Sequence, residues 1–101
     1  MSTAEVEGEL QGSIQVTVQL ARLDLTNAGD RPVRGRLIAN LQGLLTAASV
    51  DDDDNPRYDP GPIDGVAGGR TRRAVINFKR DNGLRDNAIV GRAAWERLIE
   101  D

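Results

Sequence analysis

The chain has 101 residues, a net charge of −3, 39% hydrophobic residues and one each of Phe, Trp and Tyr. This length and composition allow one small hydrophobic core and exclude two. Because the sequence contains no cysteine and no histidine, disulfides, thiolate zinc sites and histidine-based catalysis are excluded. We therefore expect a protein that is not an enzyme, with no catalytic residue, no metal and no cofactor.

The N-terminal segment, residues 5–20, alternates strictly between two classes of residue. Even positions from 6 to 20 are apolar or glycine, and odd positions from 5 to 19 are polar. This alternation is typical of a β-strand with one buried face. An unbroken strand of this length would span about 50 Å, which exceeds the usual length, so a hairpin is the alternative. The apolar positions that we expect to make contacts between chains are Ile14, Val16, Val18 and Leu20.

Residues 21–32 connect this segment to the rest of the chain. The alternation changes phase after residue 20, and Leu23 and Leu25 resume it on odd positions, which predicts a bulge or a further short strand. Residues 26–32 contain Asn, Gly, Asp and Pro and predict a turn or linker. We therefore predict an N-terminal β extension and linker over 1–32 and a helical domain over 33–101.

Three later segments have helical spacing of their apolar residues. The first spans 33–48, with Pro32 in its first turn, and the second spans 69–82 and ends before Gly83. The third spans 91–100 and is predicted to bury Trp95, Leu98 and Ile99. The predicted fold is therefore mainly α, a compact three-helix domain with an N-terminal β-strand or hairpin, α+β overall. The predicted core residues are Leu41, Val75, Phe78, Leu84, Val90, Trp95 and Leu98.

A loop over residues 51–62 separates the first two helices. It holds four adjacent aspartates and three prolines, which do not continue a helix. Its alternating acidic positions are similar to those of a calcium-binding EF-hand loop. However, Pro56 and Pro62 stand where that motif requires glycine and glutamate. We therefore predict a solvated acidic loop.

Several motifs follow one another in a fixed order: IANLQGLL at 38–45, IDGVAGGRT at 63–71, AVINFK at 74–79, GL at 83–84 and NAIVGRAAWERL at 87–98. Together they resemble the peptidoglycan-binding domain type 1 family over residues 33–99. The resemblance implies a compact three-helix module without catalytic activity, which usually holds cell-wall hydrolases on the wall. The sequence departs from the family pattern at Ala67, Lys79, Asn87, Ala88 and Ala94.

Polar residues at the turns and on the second helix are the candidates for ligand contact. Arginine suits the carboxylates of wall peptides and the phosphates of teichoic acids, although a solvated helix face is the alternative for these residues. Thr71 in a first helical turn is also expected to bond locally. The candidate ligand-binding residues are Asp64, Arg70, Thr71, Asn77, Arg80, Asn82 and Asn87.

The sequence thus predicts a non-enzymatic peptidoglycan-binding module with a β-segment for assembly. The partner is the glycan or stem peptide of the wall, or another protein, with pairing between copies or addition to a partner's sheet through residues 5–20. The alternative is a structural subunit of an assembly, for example a phage-tail-like particle, that uses the same fold for protein contacts. The negative charge disfavours nucleic acid, and no apolar run is long enough for a membrane. No signal-peptide pattern is visible, so we expect cytoplasmic synthesis, with the final location open.

Overall fold

The computed structural model describes residues 22–100, which form three α-helices and two two-stranded antiparallel sheets. This mainly α architecture with a small β component confirms the predicted fold class. Residues 5–20, with the predicted assembly positions Ile14, Val16, Val18 and Leu20, lie outside the described residues. The elements in chain order are β1 (Leu23–Asp24), β2 (Val33–Arg34), α1 (Arg36–Asp51), a 3-10 turn (Pro56–Tyr58), β3 (Val66–Ala67), α2 (Gly69–Asp81), β4 (Ile89–Val90) and α3 (Arg92–Glu100).

The start of the first helix was predicted wrongly. Val33 fits the helical spacing but forms β2, in which it pairs with Ala67 of β3. Gly35 then adopts a φ of 146°, which no residue inside a helix has, and its N–H donates to the carbonyl oxygen of Gly65 at 2.9 Å. The helix therefore begins at Arg36.

Strand β1 pairs with β4 inside the helical domain, with Leu23 opposite Val90. The N–H of Leu25 extends this pairing to the carbonyl oxygen of Ala88 at 2.9 Å. Leu25 is completely buried, and Ala28, in the predicted linker, is buried as well. Leu23 and Leu25 therefore belong to the packed domain, because β4 supplies their backbone partners and the core supplies the apolar contact that this segment needs.

The core lies where one face of each helix meets the others. Six predicted core residues are buried, and Leu84 is partly buried against them. Ile99, however, is half exposed, because it lies on the outer face of α3. The Tyr58 ring of the 3-10 turn meets the Phe78 ring edge to face, with 5.5 Å between their centroids. The six buried residues are Leu41, Val75, Phe78, Val90, Trp95 and Leu98.

Candidate functional site

The turn that precedes β3 is built around Gln42, whose side chain is only 1% exposed. Its Oε1 accepts the N–H groups of Asp64 (3.1 Å) and Gly65 (2.9 Å). Its Nε2 donates to the Val66 carbonyl oxygen (3.0 Å), to the Thr71 hydroxyl (3.2 Å) and, more weakly, to Asp64 Oδ1 (3.3 Å). Asp64 Oδ1 also accepts the N–H of Val66 at 2.9 Å, which closes an Asx turn. We call Gln42, Asp64, Gly65 and Val66 the Gln42 turn.

The turn that precedes β4 repeats the donor bonds of this arrangement around Lys79, which is 6% exposed. Its Nζ donates to Asn87 Oδ1 at 2.6 Å and to the Ile89 carbonyl oxygen at 2.5 Å. Asn87 Oδ1 also accepts the N–H of Ile89 at 3.0 Å. Burial lowers the pKa of Lys79 below its ordinary value, and the positive charge of Arg85 adds to this effect. We call Lys79, Asn87, Ala88 and Ile89 the Lys79 turn.

Three of the predicted ligand-binding residues are used inside these turns. Thr71 is buried, and its hydroxyl donates to the Pro60 carbonyl oxygen at 3.0 Å while it accepts from Gln42. The structure therefore does not present this hydroxyl to a ligand. Asp64 holds its turn, and the N–H of Val66 holds the pKa of that carboxyl below its ordinary value. Asn87 holds the second turn in the same way.

Two further predicted residues lie at the C-terminal end of α2. Asn82 Nδ2 donates to the Phe78 carbonyl oxygen at 2.8 Å, so it caps the helix end. Arg80 pairs with Asp86 at 2.9 Å, and both side chains are about half exposed. Arg80 is ten residues from Arg70, which corresponds to about 15 Å along the helix. The structure therefore does not bring the seven predicted residues together at one site.

A groove of about 360 Å³ opens between the 3-10 turn and α2. Arg70, Arg73 and Asn77 contribute to it from successive turns of α2, at the three- and four-residue spacing that places side chains on one face. We call it the arginine groove, and its lining residues are Pro56, Arg57, Asp59, Arg70, Arg73, Ala74 and Asn77.

The charges of the arginine groove are unequally paired. Arg57 pairs with Asp81 and Arg70 pairs with Asp59, each at 2.9 Å. The Arg73 side chain is exposed and makes no hydrogen bond or ion pair within residues 22–100. Once Asp81, which lies outside the lining, is counted as the partner of Arg57, one positive charge of the groove remains without an ion pair in the described part of the chain, and it belongs to Arg73.

A second groove, of about 460 Å³, lies on the other side of the 3-10 turn. The Tyr58 hydroxyl donates to Asp81 Oδ2 at 2.8 Å, and burial, together with this carboxylate, raises the pKa of Tyr58 to about 12. Asp51 and Asp52 add further negative charge to its lining.

No group of three or more acidic side chains in the described part of the chain is arranged to hold a metal ion. None of the helices of residues 22–100 combines the length and the apolar character needed to cross a membrane.

A family model described as a peptidoglycan binding domain matches residues 34–98. The chain belongs to this peptidoglycan-binding family. No solved structure matches the chain. The family identified from the sequence motifs is thus confirmed, and peptidoglycan is the partner that the family indicates.

Sequence reasoning about this peptidoglycan-binding domain did not select Gln42 and Lys79 as organising residues. Gln42 lies within the motif at 38–45, and Lys79 is one of the departures from the family pattern, so their positions in these motifs were the available signal. Arg57 and Asp59 were missed as groove residues because they lie in a loop without periodicity. Arg73 was not among the predicted ligand-binding residues, because the groove that it lines depends on the fold of that loop.

Proposed function

We propose that this domain is a non-enzymatic module that attaches to peptidoglycan through the arginine groove. The observation that carries the proposal is the family match over residues 34–98. The groove adds a concave surface with the guanidinium of Arg73, which has no ion-pair partner within residues 22–100, beside polar groups of α2. Concave sites with a few convergent polar groups are the usual form of ligand sites.

A ligand could instead contact the polar residues of the two turns, at 64–71 and 82–87. The hydrogen bonds within these turns favour the groove as the binding surface. The polar side chains of Asp64, Thr71 and Asn87 already bond within the domain. A ligand that used them would have to replace these bonds, and each buried polar group left without a partner costs about 1–3 kcal/mol. Binding at the groove requires at most the opening of exposed ion pairs, which contribute little.

The state of Asp59 supports a role without catalysis. This carboxylate, which lines the groove, accepts the N–H of Gly61 on Oδ1 and pairs with Arg70 through Oδ2. Both of its oxygens are thus engaged, which disfavours a role as general acid or base.

Sedimentation with purified peptidoglycan sacculi tests this proposal. We expect the chain to sediment with sacculi at low salt, to remain soluble with chitin, and to release no soluble wall fragments. Arg70→Ala should reduce the sedimented fraction, whereas Arg80→Ala should not, although each removes one exposed ion pair. Failure of the unmodified chain to sediment would overturn attachment, and release of wall fragments would overturn the non-enzymatic role.

A second candidate function is a structural subunit that assembles through residues 5–20. The alternating pattern of that segment favours it, because a strand with one apolar face needs a partner. Light scattering of the full chain and of a chain without residues 1–20 tests this function. The deletion leaves Leu25 and Ala28 in place because both are buried in the domain. We expect an oligomer that becomes a monomer on deletion; two monomers would contradict assembly of copies.

A further inference from the structure

We propose that the arginine groove is an oxyanion site that binds a stem-peptide carboxylate of peptidoglycan through Arg73. The inference rests on the proposed function, and it specifies which part of the polymer is recognised. The glycan strand offers mainly neutral hydroxyl and amide groups, whereas the stem peptide carries free carboxylates. The charges of the groove therefore select between two chemically different parts of one ligand.

Arg73 is the group that gives the groove its preference. Its guanidinium is exposed, lines the groove and makes no hydrogen bond or ion pair within residues 22–100. A guanidinium has a planar set of donors that matches a carboxylate with two parallel hydrogen bonds. The one positive charge that remains after the ion pairs of Arg57 and Arg70 are counted also fits the single negative charge of a carboxylate.

Arg70 is held in place beside this group. Its Nη2 pairs with Asp59 Oδ2 at 2.9 Å, while its side chain runs over Gly61, where an added Cβ would lie 3.2 Å from the Arg70 Cδ. The side chain of Asp59 is in turn fixed by the N–H of Gly61 at 2.9 Å. This arrangement orients the Arg70 guanidinium one helical turn before Arg73. Its remaining N–H groups make no hydrogen bond within residues 22–100 and can contact an anion.

Asn77 favours a peptide carboxylate over a phosphate. Its Nδ2 donates to the Arg57 carbonyl oxygen at 3.0 Å, and its Oδ1 accepts no hydrogen bond within the described residues. Asn77 lies four residues after Arg73, which makes the two side chains neighbours on α2. Arg73 can donate to a carboxylate while Asn77 Oδ1 accepts an amide N–H next to that carboxylate. This combination of groups occurs at the end of a peptide. A phosphodiester has no such N–H.

Nuclear magnetic resonance titration of the full chain tests this site directly. The probe is a synthetic stem tripeptide, L-alanyl-γ-D-glutamyl-L-lysine, with free carboxylates, and the matched probe is the same peptide with both carboxylates amidated. We expect the free acid to shift the Arg73 Nε–H and Asn77 side-chain signals, and the amidated peptide to bind at least about tenfold more weakly. Glycerol phosphate, which represents teichoic acid, is expected to bind more weakly than the free acid.

Variants separate the charge of Arg73 from its shape. Arg73→Ala should weaken binding of the free acid about tenfold or more, and Arg73→Lys should have an intermediate effect because it keeps the charge and loses the planar donors. Arg36→Ala is the matched control, because Arg36 is exposed, has no ion pair within residues 22–100 and does not line the groove. We expect this control to bind like the unmodified chain.

The outcomes distinguish this site from the proposed function. Sedimentation with sacculi without peptide shifts at Arg73 would overturn the carboxylate site and leave wall attachment standing. Peptide shifts at Arg73 without sedimentation would support the carboxylate site and overturn wall attachment. Equal binding of the amidated peptide, tighter binding of glycerol phosphate, or an equal loss in Arg36→Ala would each overturn the assignment of a carboxylate to Arg73.

Discussion

The Gln42 turn and the Lys79 turn share two hydrogen bonds from a buried side chain but have opposite distributions of charge. In each, a buried side chain from the preceding helix donates to an Asx oxygen and to the carbonyl oxygen two residues later. In the first turn the donor, Gln42, is neutral and the acceptor, Asp64, is ionised. In the second turn the donor, Lys79, is cationic and the acceptor, Asn87, is neutral.

This comparison shows that the hydrogen bond between the buried side chain and the Asx residue forms whether the formal charge lies on the acceptor, as in Asp64, or on the donor, as in Lys79. The two positions do not have equal consequences, however. Asp64 is exposed, so water solvates its charge, whereas the Lys79 ammonium is buried and has no carboxylate partner among residues 22–100. The Gln42 turn is thus fully paired, and the Lys79 turn includes a desolvated cation.

The largest expected difference between the turns comes from replacing each buried donor by methionine. Gln42→Met removes bonds to Gly65, Val66 and Thr71 among others and should lower the free energy of unfolding by about 3 kcal/mol. Lys79→Met removes two bonds but also a desolvated charge, so the loss should be about 1 kcal/mol. Urea denaturation measures both values, and equal losses would contradict the comparison.

Gly65 and Ala88, which follow Asp64 and Asn87 in the two turns, should respond differently to substitution. Gly65 has a φ of 76°, and an added Cβ would lie 3.2 Å from the Gly35 carbonyl oxygen, so Gly65→Ala should cost about 2 kcal/mol. Ala88 stands at the matching position and does not have a positive φ. Ala88→Gly should therefore cost only about 1 kcal/mol, from chain entropy and a lost methyl group. Thermal denaturation compares the two; a neutral Gly65→Ala would show that the turn is not strained by a side chain.

A carboxylate introduced into the Lys79 turn should remove its electrostatic disadvantage. Asn87→Asp keeps the oxygen that accepts from Lys79 and Ile89 and adds a negative charge beside the buried ammonium. We expect about 1 kcal/mol of added stability at neutral pH and a raised pKa of Lys79. The gain should disappear when Asn87→Asp is made together with Lys79→Met, which is measured by a double-mutant cycle. Equal effects in both backgrounds would exclude the ion pair as the cause.

The smallest expected difference is in acid sensitivity. The folded-state pKa of Asp64 lies below its ordinary value of 3.8, so its ionised form stabilises the domain above that pH. This contribution should be lost as the pH falls from about 3.8 through the lower folded-state pKa. The difference in stability between the unmodified chain and Asp64→Asn should therefore be constant near neutral pH and vanish in acid. Urea midpoints across this range provide the measurement; a difference that persists at low pH would assign it to packing.

The sequence predicted those features of the domain that depend on local patterns. The spacing of apolar residues placed α2 within one residue of its observed end, and the ordered motifs identified the family. Val33 was assigned to a helix because its spacing fits one, and only the distant β3 strand explains why it is extended. The burial of Lys79 was not predictable, since lysine is normally exposed and its acceptors lie in a later loop. The arginine groove required Arg57 and Asp59 from a loop without periodicity.

The pairing of β1 with β4 also has a consequence for the order in which the domain folds. During synthesis Leu25 emerges before α1 and α2, whereas Ala88, which accepts its N–H, emerges only after both of these helices. All three helices can begin to form from local contacts before this closure takes place. Contacts between residues so distant in sequence are slow to form, so docking of the β1 strand is expected to be the last and slowest step. Until then the side chain of Leu25, which is completely buried in the folded domain, remains exposed to water.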